Sequence, residues 1–378
     1  MGAIQDLFVT FGDAYLERFG AAVPAGHRRV IDAIRRCRTK DLGSVCYRCE
    51  ECELSHVVPA ACGNRHCHQC QQRKSMLWLE RQLDRQLPGP HFMLTFTVPE
   101  ALRPFLRAHQ RPGYGALFEA SAGSIKTLVA NPRWIGGDQA GFFGVLHTWG
   151  RQLQYHPHIH YVVPGGALGS EDGCWHAAKP GFFLPVRALS KVFRGKFKAA
   201  MATAGLLDQI QAEVWHQDWN VNCQAVPNAE ASISYLAPYV FKVAIADHRI
   251  VKIEHDQVTF SYRKVGSHRP RTLTVDALEF IRRFLQHVLP TGFMKVRYYG
   301  LLSPTAKMPL EEVKARVELA YGFAVTAPEP PLARPETFVC KCCGGALRFH
   351  RSLRPGWRNS LSGDLATEPD AETVSATG

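Results

Sequence analysis

The sequence of 378 residues lacks the features that define several large protein classes. It has no run near the ~20 apolar residues of a membrane-spanning helix, and its first ten residues lack the basic-then-apolar pattern of a signal peptide. It has no internal repeat with a period of about 20–50 residues and no G-x4-GK[ST] loop for nucleoside triphosphates. We therefore expect a globular cytoplasmic protein that makes no membrane contact.

Acidic residues are fewer than basic residues. Asp and Glu total 33 against 45 Lys and Arg, which gives a net charge of +12 and a sequence pI near 9.2. Such an excess favours a polyanionic partner such as nucleic acid, although a basic protein without one is the alternative. Charge indicates the class of partner and does not establish it.

Composition divides the chain into three regions. Residues 1–87 hold most of the cysteines and a basic helical pattern, residues 88–303 hold the apolar and aromatic segments, and residues 304–378 are rich in proline. From residue 361 onward no aromatic residue occurs, so this tail is expected to be disordered. We predict a zinc-binding domain with a linker helix, a central domain and a C-terminal region with these limits.

Local patterns predict a mixed α+β fold. Met76, Leu79 and Leu83 share one face of an amphipathic helix. Two segments of β-type composition are joined by a short connection, which predicts antiparallel pairing. We expect an antiparallel sheet covered by helices. The expected elements are helices at 71–87, 188–204 and 275–289, strands at 91–98, 142–149 and 158–163, and an edge strand at 257–264.

Seven cysteines lie between Cys37 and Cys70, a density typical of metal sites in a reducing compartment. Cys49-x2-Cys52 and Cys67-x2-Cys70 have the spacing of two zinc knuckles, which predicts one tetrahedral Zn²⁺ site with four thiolates. The alternative is that the two pairs belong to different metals.

Other potential ligands lie near these pairs. They would either contribute to a second zinc site or be buried without a metal. These residues are Cys37, Cys46, Cys62 and His66. A partial knuckle near the C-terminus, which no second cysteine pair follows, comprises Cys340, Cys342 and Cys343.

His156, His158 and His160 alternate along one extended segment, so their imidazoles share one face of a strand. Imidazoles in this arrangement are natural ligands of a divalent metal, and the alternative is a solvated histidine-rich strand. His147 lies on the predicted partner strand and is the preferred third ligand, with His156 as its rival.

Tyr235 and Tyr239 are four positions apart, which in a helix places both phenols on one face. Two nucleophiles could serve one metal there, although paired aromatic residues more often belong to a core. Because a phenol has a pKa of about 10, the metal would have to activate the phosphate that it attacks. Lys242 lies about one turn further on and would either neutralise a phosphate or be solvated.

Two basic segments are candidates for contact with nucleic-acid phosphates, which supply most of the affinity in such complexes. The first lies beside the second cysteine pair and contains Arg65, Arg73 and Lys74. In the second segment, Phe193 and Phe197 are interleaved on an apolar face. Its basic residues are Arg187, Lys191, Arg194, Lys196 and Lys198.

Together and in this order, the knuckles, the His-hydrophobe-His strand and the Tyr-x3-Tyr pair resemble the two-tyrosine HUH transposases of the insertion sequence 91 family. The resemblance spans roughly residues 25–303. The stretches that carry it are CRTKDLG (37–43), CGNRHCHQCQ (62–71), LHTWGRQLQYHPHIHYVVPGG (146–166), PVRALSKVFRGKF (185–197), YLAPYVFKVAI (235–245) and HVLPTGFMKVRYYGLL (287–302).

The resemblance implies an HUH endonuclease domain on a ferredoxin-like or RNA-recognition-like antiparallel sheet, preceded by the zinc-binding domain. It implies rolling-circle cleavage and rejoining of single-stranded DNA at element ends, in which a tyrosine stays joined to the 5′ phosphate. His158 and His160 would hold Mg²⁺ or Mn²⁺, and Tyr235 and Tyr239 would be the nucleophiles. A host helicase would separate the strands at the nucleoid.

Three departures from the family pattern leave other hypotheses open. Pro238 replaces the Arg that many members carry between the tyrosines, and proline would kink a helix beyond its first turn. His68 replaces the Pro of the second knuckle, and Glu53 replaces the Gly that ends the first. One alternative is a catalytically inactive, zinc-dependent DNA-binding protein derived from such an element. Another is a metal-dependent phosphoesterase that uses water as the nucleophile.

Overall fold

The computed structural model describes residues 2–226, 233–234, 244–264, 266–267, 269–322 and 338–355, without the side chains of residues 72 and 73. Tyr235, Pro238, Tyr239 and Lys242 lie outside these ranges, as does the tail from residue 361. Within them, no helix combines the length and the hydropathy that crossing a bilayer requires.

Helices and strands follow one another irregularly along the chain. The N-terminal part contains α1 (Ala3–Phe19), α2 (Ala25–Arg36), β1 (Ser44–Cys49), β2 (Ser55–Pro59) and α3 (His68–Asp84). The middle part contains β3 (His91–Thr97), α4 (Arg103–Ala108), α5 (Gln110–Val129), β4 (Gly141–Trp149), β5 (Tyr155–Pro164), β6 (Gly166–Leu168), β7 (Trp175–Ala177), α6 (Val186–Thr203) and β8 (Asn220–Val226). The last part contains β9 (Ile250–Glu254), β10 (Gln257–Arg263), β11 (Pro270–Asp276), α7 (Ala277–Leu285), β12 (Val296–Gly300), α8 (Leu310–Tyr321), β13 (Phe338–Val339) and β14 (Ala346–Leu353).

In the described residues, β12, β4, β5, β3 and β8 form a five-stranded sheet in that order. Every neighbouring pair in it is antiparallel. The predicted pairing of 142–149 with 158–163 is confirmed, because β4 and β5 are joined by a connection too short for a parallel crossover. The predicted α+β class with an antiparallel sheet is confirmed as well.

Helices α5 and α6 cover one face of this sheet. Phe96 of β3 and Tyr161 of β5 point toward them, and the ring of Phe96 lies 5.1 Å from that of Phe193 on α6. These side chains are fully buried, and burial of each aliphatic or aromatic side chain stabilises the fold by roughly 1.5–3 kcal/mol. The alternation of side chains along β3 and β5 therefore fixes which face the helices cover.

The opposite face is covered by α3. Trp78 of α3 packs there with Phe143 and Val145 of β4, Val162 of β5, and Ile233. The Trp78 Nε1–H donates to the Tyr298 hydroxyl at 3.0 Å, which attaches α3 to strand β12. Residues at alternate positions of β4 and β5 therefore form a second, smaller core on this face.

A separate core joins the N-terminal helices to a later part of the chain. Helix α1 packs against both α2 and α7, and the rings of Phe8 and Phe284 lie 5.1 Å apart. Helix α7 begins at Ala277 because the Asp276 carboxylate accepts hydrogen bonds from the backbone N–H groups of Leu278 and Glu279. The predicted helix at 275–289 is thus shorter than expected.

The predicted edge strand at 257–264 is corrected by the sheet that lies beside this core. β10 is the central strand of the order β11-β10-β9, with a hydrogen-bonded neighbour on each side. Val258 and Phe260 are fully buried against the helices. Alternation shows that one face is buried, but it does not show how many neighbours a strand has.

A small four-stranded sheet joins residues 44–59 to residues 338–353. Its order is β13-β14-β1-β2, and β14 pairs with β1 so that Leu347 lies opposite Cys49. The domain limits 1–87, 88–303 and 304–378 stay a prediction. The packing adds that the first and the last of these regions share one sheet.

Candidate functional site

Three histidines converge on the face of the central sheet that α3 covers. In the antiparallel register of β4 and β5, His147 is the direct partner of His158, and His160 is opposite Val145. The ring of His147 lies 5.3 Å from that of His158 and 4.7 Å from that of His160. Each offers a ring nitrogen, and the three nitrogens lie within 4.8 Å of one another. They are close enough to share one ion.

Hydrogen bonds orient two of these rings. The Nδ1–H of His158 donates to the backbone oxygen of His156 at 2.7 Å, which leaves Nε2 with a lone pair. The Nδ1 of His160 is hydrogen-bonded to the Thr95 hydroxyl at 2.9 Å. Metal-binding histidines typically make such a hydrogen bond through the ring nitrogen that does not bind the metal. This bond fixes the tautomer and the direction of the ligating nitrogen.

Burial keeps the three imidazoles uncharged. It lowers the pKa of His147 and His158 well below the ordinary value, with a further contribution from the neighbouring histidines. Burial also lowers the pKa of His160 to about 4. A neutral imidazole is the form that binds a metal. The three residues therefore fit a divalent cation in geometry, orientation and charge.

His156 lies on the same face of β5 but outside this group. Its ring is 5.0 Å from that of His158, and its nitrogens are not among those that converge. The structure thus places His147, rather than His156, with His158 and His160. Strand pairing explains this, because His147 faces His158 across the sheet whereas His156 lies nearer the end of the strand.

A cavity of about 460 Å³ lies at the end of β4, and its lining includes Trp149 but none of the three histidines. Trp149, whose ring is 5.0 Å from that of His147 and stacked on it, belongs to its wall. Arg65 and Lys74 bring positive charge to the same wall, which also includes Lys295. The remaining lining residues are His66, Gln71, Trp78, Leu146, Thr148, His287, Leu289, Phe293, Met294, Val296 and Tyr298. The cavity therefore combines cations with aromatic rings.

Lys295 is a residue that sequence reasoning missed. Its ammonium lies 5.0 Å from the centre of the Trp149 ring, and burial lowers its pKa to about 7. The stretch at 287–302 contains it, but a single lysine among apolar residues carries no signal of its own. Its place beside Trp149 depends on the pairing of β12 with β4, next to which the Leu146 N–H donates to the Lys295 backbone oxygen at 2.9 Å.

The predicted DNA-contacting residues fall on two different sides of the sheet. Arg65 and Lys74 line the cavity, whereas the side chain of Arg73 lies outside the described part. Helix α6 packs on the other face of the sheet, away from the histidines. It carries Arg187, Lys191, Arg194, Lys196 and Lys198, which are exposed apart from the half-buried Arg194.

The first cysteine cluster lies where α2 ends and α3 begins. Cys37 follows α2, Cys62 lies in the connecting loop, Cys67 is the N-cap of α3, and Cys70 is in its first turn. Three pairs of sulfurs are 3.5–3.6 Å apart, namely Cys37 with Cys70, Cys62 with Cys70, and Cys67 with Cys37. Four thiolates around Zn²⁺ have edges of about 3.8 Å, since the Zn–S distance is about 2.3 Å.

The grouping of cysteines differs from the single site predicted. Cys67 and Cys70 join Cys37 and Cys62, whereas Cys49 and Cys52 join Cys340 and Cys343. The predicted set of Cys49, Cys52, Cys67 and Cys70 is therefore corrected, in favour of the alternative that the pairs belong to different groups. The physical reason is the pairing of β1 with β14. This pairing places the first knuckle beside Cys340 and Cys343 rather than beside the cysteines of α3. The potential ligands outside both groups are Cys46, His66 and Cys342.

A sheet with three converging histidines, together with two clusters of four cysteines, defines a protein with several candidate metal sites. The family described as "Transposase zinc-binding domain" matches residues 7–98, and that described as "Putative transposase" matches residues 141–309. "Putative transposase y4qJ" of Sinorhizobium fredii (strain NBRC 101917 / NGR234) is 35% identical over 353 residues, 88% of this chain and 87% of the relative. "Transposase for insertion sequence element IS801" of Pseudomonas savastanoi pv. phaseolicola is 26% identical over 343 residues, 84% of this chain and 82% of the relative. No solved structure matches.

The chain belongs to the insertion sequence 91 family of transposases. Its substrate is therefore DNA, and its class of activity is DNA cleavage. The zinc-binding domain and the cysteine clusters support structural zinc.

Proposed function

We propose that this transposase cuts and rejoins single-stranded DNA at element ends through covalent tyrosine intermediates, using a divalent metal held by His147, His158 and His160. The observation that carries the proposal is the convergence of three imidazole nitrogens within 4.8 Å on one face of the sheet. Their uncharged state and the hydrogen bonds at Nδ1 of His158 and His160 support a ligand role.

Ile233 supports the assignment of the nucleophiles to Tyr235 and Tyr239. Its side chain is 2% exposed and packs with Phe143, Val145 and Val162, on the same face of the sheet as the histidines. Tyr235 follows Ile233 by two positions in the sequence. The residue two positions before Tyr235 therefore packs on the same face of the sheet as the proposed metal ligands.

In the proposed reaction, the phenolic oxygen of one tyrosine attacks the scissile phosphorus. A tyrosine–phosphate bond forms as the bond to the 3′ oxygen breaks. The phenol gives up its proton, and the 3′ oxygen takes up a proton and leaves as a free hydroxyl. When bound, the metal polarises the phosphate and stabilises the charge that develops on it. Attack of a 3′ hydroxyl on the phosphotyrosine reverses these bond changes and rejoins DNA. Lys242 is proposed to neutralise a phosphate near the tyrosines.

The cavity is the proposed path of the unpaired strand. Single-stranded DNA is held by cations that contact phosphates and by aromatic rings that stack on bases, and the cavity presents Arg65 and Lys74 together with Trp149. Because the sequence has no G-x4-GK[ST] loop, we propose that a host helicase exposes this strand at the nucleoid.

The test mixes the purified protein and Mn²⁺ with a labelled single-stranded oligonucleotide that carries an element end. Label that migrates with the protein after denaturation indicates a covalent adduct. We expect this adduct with the unaltered protein and expect its loss in the Tyr235→Phe, Tyr239→Phe double variant. The single variants show which tyrosine acts first.

A chelator would also remove structural zinc, so the metal is tested by substitution instead. His158→Ala should abolish the adduct, whereas the zinc content of the protein should stay unchanged. DNA that is bound but uncut with every metal would favour a DNA-binding protein without catalysis. A cleaved product with no adduct would favour water as the nucleophile.

A further inference from the structure

The second group of cysteines joins residues from the two ends of the described chain. Cys49 and Cys343 are 294 positions apart in the sequence, yet their sulfurs lie 3.4 Å apart. The sulfurs of Cys52 and Cys340 are 3.6 Å apart. These distances are near the ~3.8 Å edge of a tetrahedral zinc–thiolate site and well beyond the ~2.05 Å of a disulfide.

Each half of this group has the local geometry of a metal-binding knuckle. Cys49 ends β1 and Cys52 lies in the turn before β2, while Cys340 follows β13 and Cys343 precedes β14. In both halves a residue with positive φ follows the second cysteine, Glu53 at 59° and Gly344 at 78°. Each pair is therefore held on a tight turn between two strands.

Backbone and side-chain donors point at these sulfurs. The N–H of Cys342 donates to the Cys340 sulfur, and the N–H of Gly345 donates to the Cys343 sulfur, both at 3.4 Å. The Nε2 of His56 lies 3.1 Å from the Cys340 sulfur. Such donors stabilise the negative charge of a thiolate, which is the form that binds a metal.

The sheet that carries the knuckles has little hydrocarbon in its interior. Along β1 the buried side chains are Cys46 and Cys49, whereas Val57 and Val58 of β2 and Phe349 of β14 are more than 40% exposed. Hydrophobic burial therefore contributes little to holding β14 against β1. In such small sheets, metal binding supplies the folding free energy that a core would otherwise supply.

We propose that Cys49, Cys52, Cys340 and Cys343 bind a second structural zinc ion, which ties residues 338–355 to the N-terminal domain. The first zinc belongs to Cys37, Cys62, Cys67 and Cys70. The zinc-binding part of this transposase is then built from both ends of the chain, and the matched family region at 7–98 contains only one complete set of ligands. This proposal is independent of the tyrosine chemistry.

The first measurement is the metal content of the full-length protein, purified without chelator. We expect two zinc ions per chain in the unaltered protein and one in the Cys340→Ser, Cys343→Ser double variant. Cys342→Ser is the matched control, because this exposed thiol lies between the two ligands but outside the group, and it should keep both ions. One zinc ion in the unaltered protein, two in the double variant, or iron in place of zinc would overturn the proposal.

Hydrogen exchange then tests the structural role of the ion. Amides of β14 that bond to β1 should exchange at least tenfold faster in the double variant than in the Cys342→Ser control. A Cys62→Ser variant should lose the other zinc and keep the protection of β14, which separates a local effect from general unfolding. Unchanged protection of β14 in a double variant with one zinc would overturn the proposed tie.

Discussion

The imidazole of His147 lies 5.3 Å from that of His158, across a strand pair in which the two residues are direct partners. Directly paired residues in an antiparallel sheet point to the same face. The proposed metal centre is thus built on two paired strands of the central sheet, with one ligand from β4 and two from β5. A ligand set held by backbone pairing is preorganised, so removal of one member cannot be repaired by a small loop movement.

Replacement of His147 should weaken the binding of Mn²⁺. His147→Ala removes one of three converging nitrogens, and we expect the affinity to fall at least tenfold, which corresponds to about 1.4 kcal/mol. His156→Ala is the matched control, because His156 lies on the same face of β5 outside the group, and it should change the affinity less than twofold. Titration of each variant with Mn²⁺, followed by electron paramagnetic resonance, measures both values. A larger loss in His156→Ala than in His147→Ala would exclude the proposed ligand set.

The choice of metal should follow the chemistry of three imidazoles. Nitrogen ligands bind transition metals more tightly than Mg²⁺, which prefers oxygen. We therefore expect Mn²⁺ to support adduct formation at concentrations at least tenfold lower than Mg²⁺. The measurement is the metal concentration that gives half of the maximal adduct. Equal half-maximal concentrations for the two metals would indicate that oxygen ligands dominate the site.

Ile233 should position the tyrosine segment rather than take part in the reaction. Ile233→Ala leaves a cavity in the small core under α3, and such truncations typically cost 2–5 kcal/mol. We expect adduct formation to slow at least tenfold, while zinc content and Mn²⁺ affinity stay unchanged. Ser234→Ala, an exposed neighbour, is the control and should react at the normal rate. If the two variants reacted equally fast, the packing of Ile233 would have no bearing on catalysis.

The histidine site could be predicted from the sequence, whereas the cysteine sites could be predicted only in part. The period of two along β5 and the short connection to β4 determine which face His158 and His160 share and which strand lies beside them. The partners of Cys49 depend on the pairing of β1 with β14, which lies almost 300 positions further along the chain. No local sequence pattern predicts a pairing over that separation. Spacing identifies a knuckle, but it does not identify the knuckle that completes it.

The two faces of the central sheet should differ in their contribution to DNA binding. Lys74 on α3 and Lys191 on α6 are both exposed helical lysines, but of the two only Lys74 lines the cavity that contains Trp149. Each phosphate contact with a single strand contributes about 0.7 to the slope of log affinity against log salt concentration. Lys74→Ala should therefore weaken binding of a single-stranded oligonucleotide severalfold and reduce this slope by about 0.7, whereas Lys191→Ala should change neither. Fluorescence anisotropy at several salt concentrations measures both quantities. If Lys191→Ala gave the larger change in slope, the strand would lie on the α6 face, and the cavity would not be its path.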